Sequence, residues 1–124
     1  MSDRLQVYVA HILMRVIYDE PIPGETIPLW ENLHLIKAKD DHEAFEQAER
    51  IGRDSEISEG FFCEDRPSTL RFVGIRKMKL VPGYLRSGRE LTDLQLEVAS
   101  EEDLELLMAN RSVAICCYDD YKSL

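Results

Sequence analysis

The sequence is poor in cysteine, and its cysteines follow no pattern that would hold a metal or a disulfide framework. The three cysteines are Cys63, Cys116 and Cys117. An odd number, with neither a CxxC motif nor a Cys/His group at zinc spacing, favours reduced thiols in a cytoplasm over a secreted scaffold or a zinc site. Cys116 and Cys117 are adjacent in a predicted strand and would point to opposite faces, so we predict buried thiols and no bound metal or cofactor.

The sequence also lacks a long apolar segment. The most apolar run, from Val7 to Tyr18, is interrupted by His11 and Arg15, and no basic segment precedes it. We therefore expect neither an export signal nor a membrane span. A length of 124 residues fits a single domain, 1–124, that can bury a core.

Basic residues are scarce relative to acidic ones. The chain has 15 Lys and Arg against 24 Asp and Glu, a formal net charge of -9. Such a balance disfavours a protein that holds phosphate backbones, so we predict no nucleic-acid partner. It is compatible with binding to a basic protein.

A long first strand is predicted from about Gln6 to Tyr18, which is rich in Val, Ile, Tyr and Leu and has neither Gly nor Pro. Because side chains alternate along a strand, one face is wholly apolar and the other is half apolar. The apolar face has Tyr8, Ala10, Ile12, Met14, Val16 and Tyr18; the other has Val7, Val9, His11, Leu13, Arg15 and Ile17.

The next segments predict a second strand and a helix. The segment from Asp19 to Pro28 contains three prolines and is therefore predicted to be a loop. From Trp30 to Lys39 the sequence alternates again, with Leu33 and Leu35 on one face and His34, Ile36 and Ala38 on the other, and we expect antiparallel pairing with the first strand. A helix begins at Asp40 or Asp41, where a carboxylate can cap the free amides, and its apolar stripe is Ala44, Phe45, Ala48 and Ile51. Gly52 either ends this helix or lies inside it where another element packs closely.

The remaining sequence predicts two strands, a helix and a short final strand. The polar segment after Ser55, with Gly60 and Pro67, is expected to be a loop before a third strand at about Thr69 to Val81. Glu90 to Ala99 alternates as a fourth strand, with Leu94, Leu96 and Val98 inward. Ser100 opens a second helix with Leu104, Leu107 and Met108 as its buried stripe, and Val113 to Tyr118 is a candidate fifth strand.

This order, ββαββαβ, predicts an α+β fold: an antiparallel sheet of four to five strands with two helices on one face, related to the ferredoxin-like sandwich. We expect the first four strands to form the sheet. The last strand is then left to extend an edge.

Three segments together resemble a bacterial family known as domain of unknown function 4288. They are the strand Trp30 to Lys39, the Ala/Glu-rich helix Glu43 to Gly52, and the Phe-Val-Gly-Ile segment within Arg71 to Ile75. The resemblance covers about the first three-quarters of the chain. It implies a small cytoplasmic bacterial protein and assigns no catalytic residue.

The charges are segregated along the chain. From Pro67 to Arg89 there are six bases and no acid, whereas Glu90 to Asn110 has seven acids and no base. The basic segment could bind an anionic ligand or nucleic acid. We favour the alternative that the third strand pairs with the acidic fourth strand, because opposite charges across a pair stabilise it.

No residue pattern predicts catalysis. His11 and His34 are expected on opposite faces of the sheet, and His42 lies in an exposed helical turn. Cys63 or Cys117 could approach a histidine in space, but no spacing argues for a nucleophilic pair. We therefore predict no catalytic residues and favour a protein that is not an enzyme.

The stronger prediction concerns the face of the sheet opposite the helices, which we call the second face. It would expose a large apolar surface that a second copy of the chain could cover, and we propose a homodimer through Val9, Leu13, Ile17, Leu33 and Leu35. The full apolar set is Val7, Val9, Leu13, Ile17, Leu33, Leu35, Val73 and Ile75. The alternative is cover by the chain's own proline-rich loop and C-terminal tail.

Two classes of function remain. The first is a non-enzymatic interaction or regulatory domain, acting as a homodimer and with a basic protein as a further candidate partner. The second is a small-ligand-binding or weakly catalytic domain with a pocket between sheet and helices, gathering Tyr8, Tyr18, His34 and Arg76.

Overall fold

The computed structural model describes residues 4–83, 85–109 and 116–118, the last three through their backbone only. The element order is ββαβββαβ, and the residues fall into two compact units, Met1–Leu91 and Thr92–Leu124. The first unit contains β1 (Gln6–Tyr18), β2 (Leu29–Ala38), α1 (Asp41–Asp54), β3 (Ile57–Cys63) and β4 (Arg66–Val81). The second contains β5 (Gln95–Glu97), α2 (Glu101–Met108) and β6 (Cys116–Tyr118).

A four-stranded antiparallel sheet in the order β2-β1-β4-β3 forms the first unit. The predicted pairing of the first two strands is confirmed, with Tyr8 opposite Ile36 and Met14 opposite Trp30. β1 and β4 are the central strands, so β2 and β3 form the two edges.

The core lies on the wholly apolar face of β1, as predicted. All six of its apolar-face side chains are buried, and Ile36, Ala38 and Leu70 join them from β2 and β4. Ala44 and Ala48 of α1 pack on this face and are fully buried. Phe45, predicted as part of the helix stripe, is instead 45% exposed, because it lies beside the stripe that faces the sheet.

Helix α1 starts at the predicted cap. The Asp40 side chain accepts a hydrogen bond from the Glu43 amide at 2.9 Å, and Glu43 Oε1 accepts one from the Lys39 amide at 3.0 Å. The first bond satisfies an amide that the helix start leaves free, and the second ties the residue before the cap to the first turn of the helix. Gly52 lies inside the helix, where an added Cβ would meet the ring of Phe72 on β4. Close packing is therefore the reason for this glycine.

Strand β3 was predicted as loop, and that prediction is wrong. The segment forms an edge strand that pairs with β4, with Phe61 opposite Ser68 and Cys63 opposite Arg66. The turn between them has only Glu64 and Asp65, both with positive φ (52° and 61°). Two central residues with positive φ are the mark of a type I′ hairpin turn, here built without the usual Asn-Gly.

Two irregularities bend the pairing of β1 with β4 and change which residues share a face. His11 is opposite Lys77 but Ile12 is opposite Ile75, and Leu13 is opposite Gly74 but Met14 is opposite Phe72. Ile75 therefore packs against the core rather than on the second face, where the sequence placed it.

The second unit differs most from prediction. Of the predicted strand Glu90 to Ala99, only β5 forms, and it pairs with β6 rather than with the four-stranded sheet. The predicted residues Val113 to Ile115 lie outside the described part. Ser100 caps α2 as predicted, accepting from the Asp103 amide at 3.1 Å. The prediction that Leu104, Leu107 and Met108 form a buried stripe is wrong, since α2 has no buried residue and Met108 is largely exposed.

The fold is thus α+β with a four-stranded antiparallel sheet and two helices, but the finer prediction does not hold. Only α1 packs on the core face of this sheet, whereas α2 belongs to the second unit. The prediction of two helices on one face is wrong. The additional β3 also replaces the predicted order ββαββαβ, and a ferredoxin-like arrangement is not confirmed.

Candidate interaction face

Basic residues of three of the four strands, β1, β2 and β4, lie on the second face of the sheet. Residues opposite one another in a ladder point to the same side, so the register identifies them. On these three strands, six bases share this face with a single acid, Glu31. The bases are Arg15, Lys37, Arg71, Lys77 and Lys79 by register, and Arg76 by its contact with Glu31.

The prediction that the basic third strand pairs with an acidic fourth strand is wrong. β4 pairs with β1 and β3, while the acidic segment contributes β5, which pairs with β6. Net acidity of the chain therefore coexists with a basic sheet face.

A partly buried polar cluster joins β1, β2 and β4 on the second face. Glu31 on β2 accepts hydrogen bonds from both Arg76 Nε and Arg76 Nη2, the latter at 2.9 Å. His11 Nδ1 lies 3.2 Å from Glu31 Oε1, and His11 is only 2% exposed. Hydrogen bonding from Arg76 is the main cause that lowers the pKa of Glu31, with His11 adding to it and burial opposing it. The carboxylate is thus held ionised across three strands.

The apolar part of the second face is exposed mainly on β2. Leu33 is 52% and Leu35 is 49% exposed, and Ile17 is also exposed on β1. The other two residues of the candidate dimer face are less available, since Val9 is 4% exposed and Leu13 is half-buried. All five lie on the predicted face.

The four residues of the candidate pocket are not brought together. Tyr8 and Tyr18 lie near opposite ends of β1, about 33 Å apart along a strand that rises about 3.3 Å per residue. His34 is opposite Ala10 on the core face, whereas Arg76 reaches the second face.

Each of the two tyrosines has its own partners. The Tyr8 hydroxyl lies 2.9 Å from both Asp41 Oδ1 and Gln6 Oε1. Burial, followed by the bond to Asp41, raises the pKa of Tyr8 to about 12. The Tyr8 hydroxyl therefore ties β1 to the first turn of α1.

Tyr18 belongs to a cluster that fixes the proline-rich loop. The Arg66 guanidinium stacks 3.5 Å from the Tyr18 ring centroid and binds Glu25 through Nη1 at 2.7 Å and Nη2 at 3.2 Å. Arg66 also donates to the Glu20 carbonyl at 3.0 Å. Its hydrogen bonds are the main cause that lowers the pKa of Glu25. This loop is thus held at the β3–β4 hairpin.

A cavity of about 740 Å³ lies at the opposite end of the sheet, and none of the four pocket candidates lines it. Its walls combine the cationic Arg4 and Lys37 with apolar side chains. The apolar residues are Leu5, Val7, Leu80, Val81, Pro82 and Leu85.

The histidines and cysteines form no catalytic or metal centre in the part of the chain that the structure describes. His11 and His34 lie on opposite faces of the sheet, as predicted. The exposed His42 lies 3.4 Å from Glu46. Cys63 Sγ contacts the Tyr18 hydroxyl at 3.8 Å. Among the described residues there is no group of three or more metal-ligating side chains, and no helix long and apolar enough to span a membrane.

The cluster of Glu31, Arg76 and His11 was not predicted from the sequence. The sequence contained one signal for this cluster. Glu31 lies among Leu29, Leu33 and Leu35 on one face of a half-buried strand, and a carboxylate in such a position needs a basic partner. The identity of that partner depends on the bulge at Arg76, which the sequence pattern does not show.

Comparison with known proteins gives one finding. No curated protein and no solved structure matches the chain. A family model described as a domain of unknown function (DUF4288) matches residues 7–92, which include α1 and all of the four-stranded sheet except its first residue, Gln6. The chain therefore belongs to the DUF4288 family.

Proposed function

We propose that this protein is a small cytoplasmic bacterial interaction domain without catalytic activity, and that it forms a homodimer through the second face of its sheet. The exposure of Leu33 and Leu35 carries the proposal. Both leucines point to the same side of β2, and each is about half exposed. Neighbouring exposed leucines on one sheet face favour a contact with another surface.

The position of these leucines fits a two-fold contact. β2 is an edge strand, and the basic strand β4 lies two strands away, about 10 Å at the usual strand spacing. A contact centred on Leu33 and Leu35 joins apolar side chains from both copies and keeps the bases of the two β4 strands apart, with Lys37 the one base of this face that lies on β2. An isologous dimer needs such a self-complementary patch.

The expected affinity is modest. Complete burial of a leucine contributes about 1.5–3 kcal/mol, and roughly half of that remains to be gained for a side chain that is half exposed. Four such leucines in a dimer supply about 3–6 kcal/mol, which corresponds to a dissociation constant between several millimolar and tens of micromolar.

Sedimentation equilibrium over a concentration series tests the proposal. We expect reversible dimer formation that Leu33→Ser/Leu35→Ser abolishes while leaving the circular dichroism spectrum unchanged. The matched control is Ile22→Ser/Ile27→Ser, which removes two exposed apolar residues from the loop. A monomer at every concentration, or an equal loss in the control, would refute the homodimer.

A small-ligand function is the second candidate, and the cavity near Arg4 and Lys37 favours it over the pocket predicted from sequence. Its volume of about 740 Å³ is within the usual range for ligand sites, and two cations among apolar walls suit an amphipathic anion. Saturable thermal stabilisation by octanoate, lost in Lys37→Ala, would support it. The absence of stabilisation would exclude this ligand class.

A basic protein remains a candidate partner through another surface. The exposed residues of α1 include Asp41 and Glu46, on the side of the sheet opposite the basic face. Salt-sensitive binding of a basic protein that Glu46→Lys weakens would support this role. Retention of binding in that variant would place the contact elsewhere.

A further inference from the structure

Arg15 and Arg71 form a pair of like charges at the centre of the sheet. They are directly opposite each other on β1 and β4, and both point to the second face. Like charges directly opposite each other destabilise a strand pair. A chain with nine more acids than bases could supply carboxylates to this pair.

Neither arginine has a carboxylate partner among the described residues. Arg71 donates through Nη1 to the neutral Ser58 hydroxyl at 3.0 Å. Arg15 Nε is buried and has no hydrogen-bond partner in the described part of the chain. A buried guanidinium donor without a partner is costly, so the described residues leave the hydrogen bonding of Arg15 incomplete.

The nearest acid on this face is already engaged. Glu31 is opposite Leu13, one step along the same face from Arg15, and it is bound by Arg76 and His11. A second acid, Glu56, accepts a hydrogen bond through Oε2 from the Phe72 backbone amide at 3.0 Å. Arg15 Nε itself is buried, but both side chains are partly exposed as a whole, so a ligand can contact them from the second face.

We propose that Arg15 and Arg71 bind an oxyanion of the carboxylate or phosphate type on the second face. The planar guanidinium presents paired N–H donors that match two oxygens of such a group, and an anion between two guanidiniums replaces their repulsion by two attractions. This site is distinct from the Leu33 and Leu35 contact, and its failure would leave the dimer proposal unaffected.

Heteronuclear NMR of the Arg15 Nε–H group tests the site directly. Inorganic phosphate and glutarate are titrated separately at constant ionic strength, with chloride as the control anion. We expect the Arg15 signal to shift saturably with at least one oxyanion and not with chloride. The anion that saturates at the lower concentration identifies the source as phosphate or carboxylate.

Variants complete the test. Arg71→Gln should weaken oxyanion binding at least about tenfold, since a charge-assisted hydrogen bond is lost. It should also raise the melting temperature in chloride buffer, because the repulsion is removed. Arg50→Gln on α1 removes the same charge from an exposed position and should do neither. An Arg15 signal that does not move, or that moves equally with chloride, overturns the proposal, and this wild-type result holds even if a variant fails to fold.

Discussion

Replacing Gly52 by alanine should destabilise the protein, although alanine is the better helix former. A Cβ at this position would lie 3.0 Å from Phe72 Cγ and closer still to Cδ1 and Cε1 of the same ring. Attractive carbon contacts need about 3.5–4.0 Å. The helix and β4 must therefore separate, or the Phe72 ring must leave its position against the core.

The two opposing effects can be compared. Overpacking a filled contact costs about 1–3 kcal/mol, whereas replacing an interior helical glycine by alanine returns about 1 kcal/mol. We expect a net loss of up to about 2 kcal/mol, seen as a fall in melting temperature of roughly 4 °C per kcal/mol for a chain of this size. Urea denaturation followed by circular dichroism gives the free energy of unfolding.

A double-mutant cycle isolates the cause. Phe72→Val shortens the opposing side chain, and in that background Gly52→Ala should stabilise by about 0.5–1 kcal/mol through helix propensity alone. Gly74→Ala is the matched control, because a Cβ there meets nothing within 4 Å. If Gly52→Ala stabilises the otherwise unchanged protein, or if its effect is the same in both backgrounds, the packing explanation is wrong.

Three further predictions concern charge and backbone. Because Arg76 lowers the pKa of Glu31 in the folded state, this carboxylate stabilises the protein above its unfolded pKa, and that stability is lost as pH falls through the lowered pKa of the folded state. Glu31→Gln should cost about 1–3 kcal/mol near neutral pH in urea denaturation and flatten this acid dependence; an unchanged profile contradicts the assignment. The pKa of Tyr8 is raised to about 12, so its neutral hydroxyl stabilises the protein below the ordinary tyrosine pKa, and this stability is lost as pH rises from about 10 to about 12. The phenolate that appears near pH 12 in an absorbance titration should therefore be absent in Tyr8→Phe. Replacing Glu64 by Asn and Asp65 by Gly should raise stability by about 1 kcal/mol, since both positions have positive φ, and a lower melting temperature would refute the turn type.

The sequence predicted the first unit well wherever one local signal decided the structure. Strand β1 has the predicted bounds, because thirteen residues without Gly or Pro alternate between two apolar faces. Asp40 marked the start of α1, because a short carboxylate side chain before an apolar stripe is suited to capping. The opposite faces of His11 and His34 follow from residue parity alone.

Prediction failed where pairing depends on distant residues. Gly60 and the polar residues around it conceal β3, which is an edge strand with little burial and needs β4 to define it. The bulges that move Ile75 to the core face and bring Arg76 to Glu31 arise from the fit between β1 and β4. No local pattern encodes that fit, so the Glu31 cluster and the Arg15 and Arg71 pair emerge only from the three-dimensional register.

Isotope-filtered NMR on a mixture of differently labelled chains tests the central claim most directly, because it detects only contacts between two copies. We predict intermolecular signals between methyl groups of Leu33 and Leu35, growing with protein concentration and absent in Leu33→Ser/Leu35→Ser. Intermolecular signals that arise only from other residues, or none at concentrations well above a millimolar dissociation constant, would contradict a homodimer formed through the second face.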